Sequence, residues 1–199
     1  MIRHLYTAKL KPGVRPEPIA AWREALLGLR IEGMQALLAG PDLELRAGND
    51  SFAIVADFDD AEAWVRYDED AEHNRIRREL AQPIVLVGHR VQFEPPEERP
   101  SGSIRNVTLI GARPEAAPAS IAELAAALRA LTVEGMDWID VEPDLGLREG
   151  NAELAVVADF NSIEAYHRYD QDEEHNRIRR ELAGPITAWI SRVQFRIQD

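Results

Sequence analysis

The sequence has no cysteine, no long apolar run and no excess of positive charge. Without cysteine there is no disulfide, no thiolate metal site and no cysteine nucleophile, and the composition favours a reducing compartment such as the cytoplasm. No apolar segment approaches the roughly 20 residues that a membrane-spanning helix needs, so we expect no membrane association. Residues 1–10 alternate like a strand and lack the apolar centre of an export signal, so we expect no export.

Acidic residues dominate the charge. Asp and Glu number 35 against 23 Lys and Arg, which gives a formal net charge of -12. Such a chain repels a phosphate backbone, so nucleic acid is not an expected partner. Arginines cluster at residues 75–78 and 177–180, but glutamates stand among them. We expect both clusters to be solvated helix faces with internal ion pairs.

The chain is an internal duplication. The ten letters EHNRIRRELA at residues 72–81 recur without change at residues 174–183, an offset of 174 − 72 = 102. A proline-rich, charged stretch separates the two copies and is typical of an extended linker. We therefore predict two domains, residues 1–94 and residues 104–199, joined by a linker over residues 95–103. Two copies are too few for a solenoid.

Hydrophobic periodicity predicts the elements of one copy. Strands are expected over residues 2–10, 34–46, 51–58 and 84–93, and helices over residues 19–29, 61–67 and 70–81. Gly33 is expected to end the first helix, and Ser120 to cap its counterpart in the second copy. Asp59 or Asp60 suits the cap of the next helix.

The resulting order, β-α-β-β-α-β, is that of the ferredoxin-like split β-α-β unit. Its helices cover one face of the sheet, and the other face needs a cover as well. We predict an α+β fold in which the two ferredoxin-like repeats pack their four-stranded sheets face to face. The product is a fused, pseudo-dimeric α+β barrel with its helices outside, and further oligomerisation stays open.

Short motifs in a fixed order add to this pattern. They are MIRHL at residues 1–5, KLKPG at residues 9–13, VADF at residues 55–58, and Tyr67 followed six residues later by His73. In order and spacing they resemble the stress-responsive dimeric α+β barrel family, over both copies. The resemblance implies a covalent version of that family's dimer. The family includes stress-induced proteins with no assigned activity and olivetolic acid cyclase-type enzymes, which use neither a metal nor an organic cofactor.

The resemblance to the cyclases implies site residues in each copy. The catalytic tyrosine and histidine match Tyr67 with His73, and again Tyr169 with His175. The positions that line the substrate pocket fall on His4, Phe52, Asn106 and Leu154. Only His4 keeps the histidine of the family pattern, so we expect the first half to hold the active site. The tryptophans at positions 138 and 189 are expected to fill the second cavity.

The residues themselves support acid–base chemistry. His73 precedes Ile76 by three residues and Leu80 by seven, so all three should face the sheet. An inward imidazole can take a proton beside a carbonyl near neutral pH, and a tyrosine can polarise the carbonyl oxygen. This predicts a cofactor-independent cyclase or lyase, without metal, that acts on a polyketide-like or other carbonyl small molecule.

Two alternatives stay open. A non-catalytic small-molecule-binding or stress-responsive protein would use the same tyrosine and histidine to hydrogen-bond the backbone. A cofactor-free oxygenase is the third reading of the same barrel. The sequence carries no glycine-rich phosphate loop, no nucleophile elbow and no metal-binding histidine motif of definite spacing, so we expect no cofactor.

Overall fold

The computed structural model describes residues 1–96 and 102–197. The strands of the first half are β1 (Ile2–Leu10), β2 (Met34–Pro41), β3 (Phe52–Phe58) and β4 (Val85–Phe93). Its helices are α1 (Pro16–Leu27), α2 (Ala61–Glu69) and α3 (Ala71–Ile76), and α3 continues as a π-helical turn over Arg77–Ala81. The centre of the predicted linker, residues 97–101, lies outside the described residues, as do residues 198–199.

The second half repeats these elements. Its strands are β5 (Ile104–Ala112), β6 (Met136–Pro143), β7 (Leu154–Phe160) and β8 (Thr187–Arg196). Its helices are α4 (Pro118–Arg129), α5 (Ile163–Gln171), α6 (Glu173–Ile178) with a π-helical turn over Arg179–Ala183, and the short α7 (Gly184–Ile186). Among the described residues no helix is both long and apolar enough to cross a membrane.

Each half forms one antiparallel four-stranded sheet. The strand orders are β2-β3-β1-β4 and β6-β7-β5-β8, which is the predicted ferredoxin-like topology. In the first sheet Leu5 lies opposite Val55 on one side and Val91 on the other. The predicted α+β fold with two such repeats is confirmed.

Three hydrophobic cores hold the halves together. One core lies between helices and sheet in each half, and the third lies between the two sheets. Because side chains alternate along a strand, Ile2 of β1 faces the helices whereas Leu5 faces the other sheet. Leu5 meets the fully buried Val107 and Val193 of the second half in the core between the sheets. The sheets therefore cover each other, as predicted.

The loop between the second and third strands of each half reaches across to the other half. We call residues 42–51 the first arm and residues 144–153 the second arm. The first arm donates main-chain hydrogen bonds to the carbonyls of Gln194 and Arg192, both at 2.8 Å, and the second arm repeats this with the carbonyls of Gln92 and Arg90 at 2.9 and 2.8 Å. The strand predicted over residues 34–46 therefore ends at residue 41, because residues 42–46 begin the first arm.

The ends of the first helix in each half differ from the prediction. The α1 helix ends at Leu27, and Gly33 lies beyond it, in the turn that enters β2 with φ +82°. Ser120 does not cap α4, because Pro118 takes the first helical position and Ala117 the cap position. The next helix begins as predicted, with the Asp60 carboxylate accepting from a main-chain amide at 2.8 Å.

Candidate active site

A cavity of about 80 Å³ lies between the sheet and the helices of the first half. We call it the first pocket. Aromatic and histidine side chains line its interior: His4, Tyr6, Trp22, Trp64, Tyr67 and His73. The second pocket, about 60 Å³, occupies the equivalent place in the second half and is lined by Asn106, Tyr166, Tyr169 and His175 among others. Both candidate catalytic pairs thus border a cavity, with room for several ordered waters or one end of a small ligand.

Tyr67 and His73 stack on each other. Tyr67 lies at the end of α2, and the Asp70 carboxylate caps α3 by accepting from the His73 amide at 2.7 Å. The ring centroids are 4.0 Å apart and the rings are nearly parallel. Tyr169 and His175 repeat the stack at 4.0 Å. Within the described residues, neither tyrosine hydroxyl makes a hydrogen bond, so the Tyr67 hydroxyl is available to a ligand.

A backbone carbonyl selects the tautomer of His175. The Nδ1 of His175 lies 2.8 Å from the Tyr169 carbonyl oxygen, and since a carbonyl only accepts, Nδ1 carries the proton. In the first half the Tyr67 carbonyl raises the pKa of His73, as expected of an acceptor beside the ring. The buried Nδ1 of His73 nevertheless has no hydrogen-bond partner of good geometry among the described residues. By its equivalence to His175 we assign the proton of His73 to Nδ1, which leaves Nε2 unprotonated.

Burial keeps His73 neutral. Desolvation is the largest influence on its pKa, the neighbouring Arg77 adds to it, and together they lower the pKa below the ordinary 6.5. Burial also raises the pKa of Tyr67, so that its hydroxyl keeps its proton. At neutral pH the pair therefore presents an imidazole lone pair beside a hydroxyl donor.

A relay of side-chain amides fixes the tautomer of His4. The guanidinium Nε of Arg90, which can only donate, lies 3.1 Å from Asn151 Oδ1. The Asn151 amide then donates to Gln92 Oε1 at 2.8 Å, and the Gln92 amide donates to His4 Nδ1 at 2.7 Å. Because Nδ1 accepts, the proton of the neutral ring is on Nε2. Burial, with smaller contributions from His73 and two arginines, lowers the pKa of His4 to about 3.

The second half has an asparagine at the position equivalent to His4. Asn106 replaces His4, and its Oδ1 accepts from the Gln194 amide at 2.7 Å. Its amide nitrogen donates to Thr108 Oγ1 at 3.3 Å. The donor that His4 leaves open to the first pocket is thus occupied in the second pocket. The two pockets are not chemically equivalent.

Other candidate residues lie behind the pocket walls. Phe52 is fully buried and stacks on Trp22 at 4.4 Å, so it supports the first pocket from behind, and Leu154 borders an open groove beside α4. The prediction that Trp138 and Trp189 fill the second cavity is wrong. They join the core between the sheets, because they alternate onto the opposite face of their strands.

Three arginines at the mouth of the first pocket were not predicted as site residues. Arg75 pairs with glutamates on the helix surface as expected, but Arg77 lines the pocket. Arg90 comes from β4, and Arg148 reaches the mouth from the second arm and pairs with Asp68. Within the described residues no cluster of histidine, aspartate and glutamate side chains could hold a metal ion.

Known proteins resemble this chain in sequence and in fold. The sequence model of the stress responsive A/B barrel domain, Dabb, matches residues 2–94 and again residues 104–196. An anthrone oxidase-like protein of solved structure is 14% identical, with a TM-score of 0.72 over 100% of this chain and 91% of that one. A Dabb family protein from Mesorhizobium loti is 20% identical over 48% of this chain and 97% of its own, with a TM-score of 0.40. The likeness to the anthrone oxidase-like protein concerns the fold alone. No curated protein sequence matches.

Proposed function

Since the chain belongs to the stress-responsive A/B barrel family, in a tandem-fused form, we propose that its first half is a cofactor-independent acid–base enzyme that enolises a small carbonyl compound. One observation carries the proposal. Two neutral histidines border one cavity and present different groups to it. His73 has an open lone pair on Nε2, which can accept a proton, and His4 has a proton on Nε2, which can be donated in a hydrogen bond. Both rings contact Tyr67, with centroid distances of 4.0 and 5.9 Å.

The proposed chemistry starts with a carbonyl oxygen that accepts hydrogen bonds from His4 Nε2 and the Tyr67 hydroxyl. His73 Nε2 takes a proton from the adjacent carbon, and the electron pair of that C–H bond moves onto the oxygen as an enolate. Donors aimed at the developing negative charge stabilise it more than the neutral carbonyl, which lowers the barrier. The His73 imidazolium then returns its proton to the product.

The fate of the enolate separates the cyclase from the lyase. In a cyclase the enolate carbon attacks a second carbonyl of the same molecule, a C–C bond forms, and the new alkoxide takes the proton from His73. In a lyase the enolate expels a group from the neighbouring carbon, and that group takes the proton. Both are redox-neutral and are supported by the same donor and base.

The second half supports a non-catalytic role. His175 has the same tautomer as a base would need, but both polar atoms of Asn106 have partners, so the donor that His4 offers to the first pocket is missing here. These contacts satisfy polar groups inside a core and leave fewer of them to a ligand. We propose that the second pocket binds weakly or serves as scaffold.

Deuterium exchange tests the enolisation directly. The methyl protons of acetone and pyruvamide, both uncharged, are followed by NMR in D₂O with wild-type protein, His73→Gln and His175→Gln. General base catalysis contributes about 100-fold or more, so the His73→Gln rate should fall by about that factor. The matched His175→Gln variant should keep most of the wild-type rate.

Three results would contradict the proposal. They are exchange no faster with protein than without it, equal rates for wild type and His73→Gln, and loss of exchange in His175→Gln alone. Oxygen uptake with an aromatic quinol, unaffected by His73→Gln, would instead favour the oxygenase reading that the anthrone oxidase-like fold suggests.

A further inference from the structure

The mouth of the first pocket is strongly positive in a chain of net charge -12. Arg77, Arg90 and Arg148 line it, and Asp68 is the carboxylate among the lining residues. Arg148 pairs with Asp68, and Arg90 donates instead to the uncharged Asn151 side chain and to a main-chain carbonyl. Three cations thus face one anion.

The charges are close enough to influence each other. Burial lowers the pKa of Arg90, and the guanidiniums of Arg148 and Arg77 lower it further, against the opposing effect of Asp68. Arg77 is exposed, and within the described residues its guanidinium makes no hydrogen bond or ion pair. Arg90 is partly desolvated and has no carboxylate partner. Such guanidiniums gain from an anionic ligand, because a carboxylate can accept two parallel N–H bonds from one of them.

The interior of the pocket holds two donors that no described residue uses, His4 Nε2 and the Tyr67 hydroxyl. Both residues are buried, at 7% and 2% exposure. Polar groups inside native proteins nearly always have a partner, so these two indicate a ligand oxygen.

We propose that the first pocket takes a keto acid, with its carboxylate at the arginines and its carbonyl oxygen turned inward to the donors of His4 and Tyr67. The carbonyl end rests on the proposed function, whereas recognition of the carboxylate stands on the arginines alone. Arg148 belongs to the second half, so the site is complete only when both halves are folded together. This assigns the crossed arms a role in binding.

The second pocket provides an internal comparison. It repeats the arginines as Arg46, Arg179 and Arg192, but Asp170 lies 2.5 Å from Arg46 and 3.6 Å from Arg179. One carboxylate therefore faces two of the cations. Tyr166 stands where the first pocket has Trp64. An anion should bind more weakly here.

Indole resonances report on the first pocket selectively. Trp22 and Trp64 line it, whereas no tryptophan lines the second pocket. The full chain, labelled with ¹⁵N, is titrated with pyruvate and with pyruvamide, its uncharged analogue of the same shape. Charge-assisted bonds of this kind support a preference for pyruvate of about 10-fold or more.

Substitutions in the two arms test which residues cause the preference for pyruvate. Arg148→Gln should reduce the ratio of the two dissociation constants to about twofold or less, and Arg148→Lys, which keeps the charge but not the planar fork, should restore part of it. The matched Arg46→Gln variant removes the equivalent residue of the second pocket and should leave the ratio at the first pocket unchanged. Far-UV circular dichroism checks that each variant is folded. If Arg148→Gln does not fold, a reduced preference for pyruvate in Arg148→Lys tests the role of Arg148 instead.

Equal binding of pyruvate and pyruvamide, no binding at the two indoles, or a preference that survives Arg148→Gln would each overturn the keto acid assignment. Binding is measured without turnover, so its outcome is separable from that of the proposed function. If the protein exchanges acetone but does not prefer pyruvate, only the keto acid assignment is rejected. If it prefers pyruvate but catalyses no exchange, only the proposed enzymatic function is rejected.

Discussion

The histidine of the first strand should make the stability of the fold depend on pH. Burial lowers the pKa of His4 from 6.5 to about 3. In the unfolded chain the ring titrates at its ordinary value, so below pH 6.5 it binds a proton that the native ring does not. The free energy of unfolding therefore decreases as the pH falls through 6.5, and it keeps decreasing until the native ring protonates near pH 3.

The size of this effect follows from the shift. Each pH unit between the two pKa values is equivalent to about 1.4 kcal/mol, so at about pH 5 the loss is about 2 kcal/mol. His4→Asn isolates it, because asparagine does not titrate and can still accept from Gln92. Asn106 already makes that contact with Gln194 in the second half, at 2.7 Å.

Urea unfolding of both proteins at about pH 7.5 and about pH 5 gives the comparison. His73 and His175, whose pKa values are lowered as well, titrate alike in both proteins, so their contributions cancel in the difference. Between the higher and the lower pH, the free energy of unfolding of the wild type should decrease by about 2 kcal/mol more than that of the variant. The same difference in stability at both pH values would refute the reasoning.

Three further predictions concern buried charge, orientation and catalysis. Asp159→Asn should cost about 3–5 kcal/mol in urea unfolding, because Arg105 keeps its charge in a site where the two side chains are 0% and 5% exposed; a loss below about 1 kcal/mol would contradict this. Asn151→Ala should slow ketone exchange about 10-fold by releasing the His4 tautomer, which ¹⁵N spectra of the ring detect. The exchange rate should fall as the pH drops, with a midpoint below 6.5 set by His73; a midpoint above it, or an acid limb that persists in His73→Gln, would exclude His73 as the base.

Most of the fold could be predicted from the sequence. The alternation of residues 2–10 assigned Leu5 and Ile2 to opposite faces of the sheet, and the structure places them so. The limits of α1 were wrong because Gly33 suits a helix end and a left-handed turn equally well, and only the path into β2 separates the two. Short apolar patterns show which residues are buried more reliably than where an element stops.

The site could be predicted in part. Helical spacing placed His73 toward the sheet, and it borders the cavity there. The stack with Tyr67 and the two tautomers depend on ring orientation and on hydrogen-bond partners that are far away in the sequence. His4 and Gln92 are 88 residues apart, and Gln92 and Asn151 are 59 apart, so no local pattern links them.

The sequence by itself determined the duplication, the order of the elements and the face on which each strand residue lies, because these follow from repeats and from periods of two and 3.6 residues. Only the tertiary structure decided that the arms cross between the halves. That exchange brings Arg148 to the first pocket and Arg46 to the second, each beside an aspartate of the opposite half. A loop that leaves its own sheet has no periodicity to show where it goes, so its partners are set by packing across the two domains.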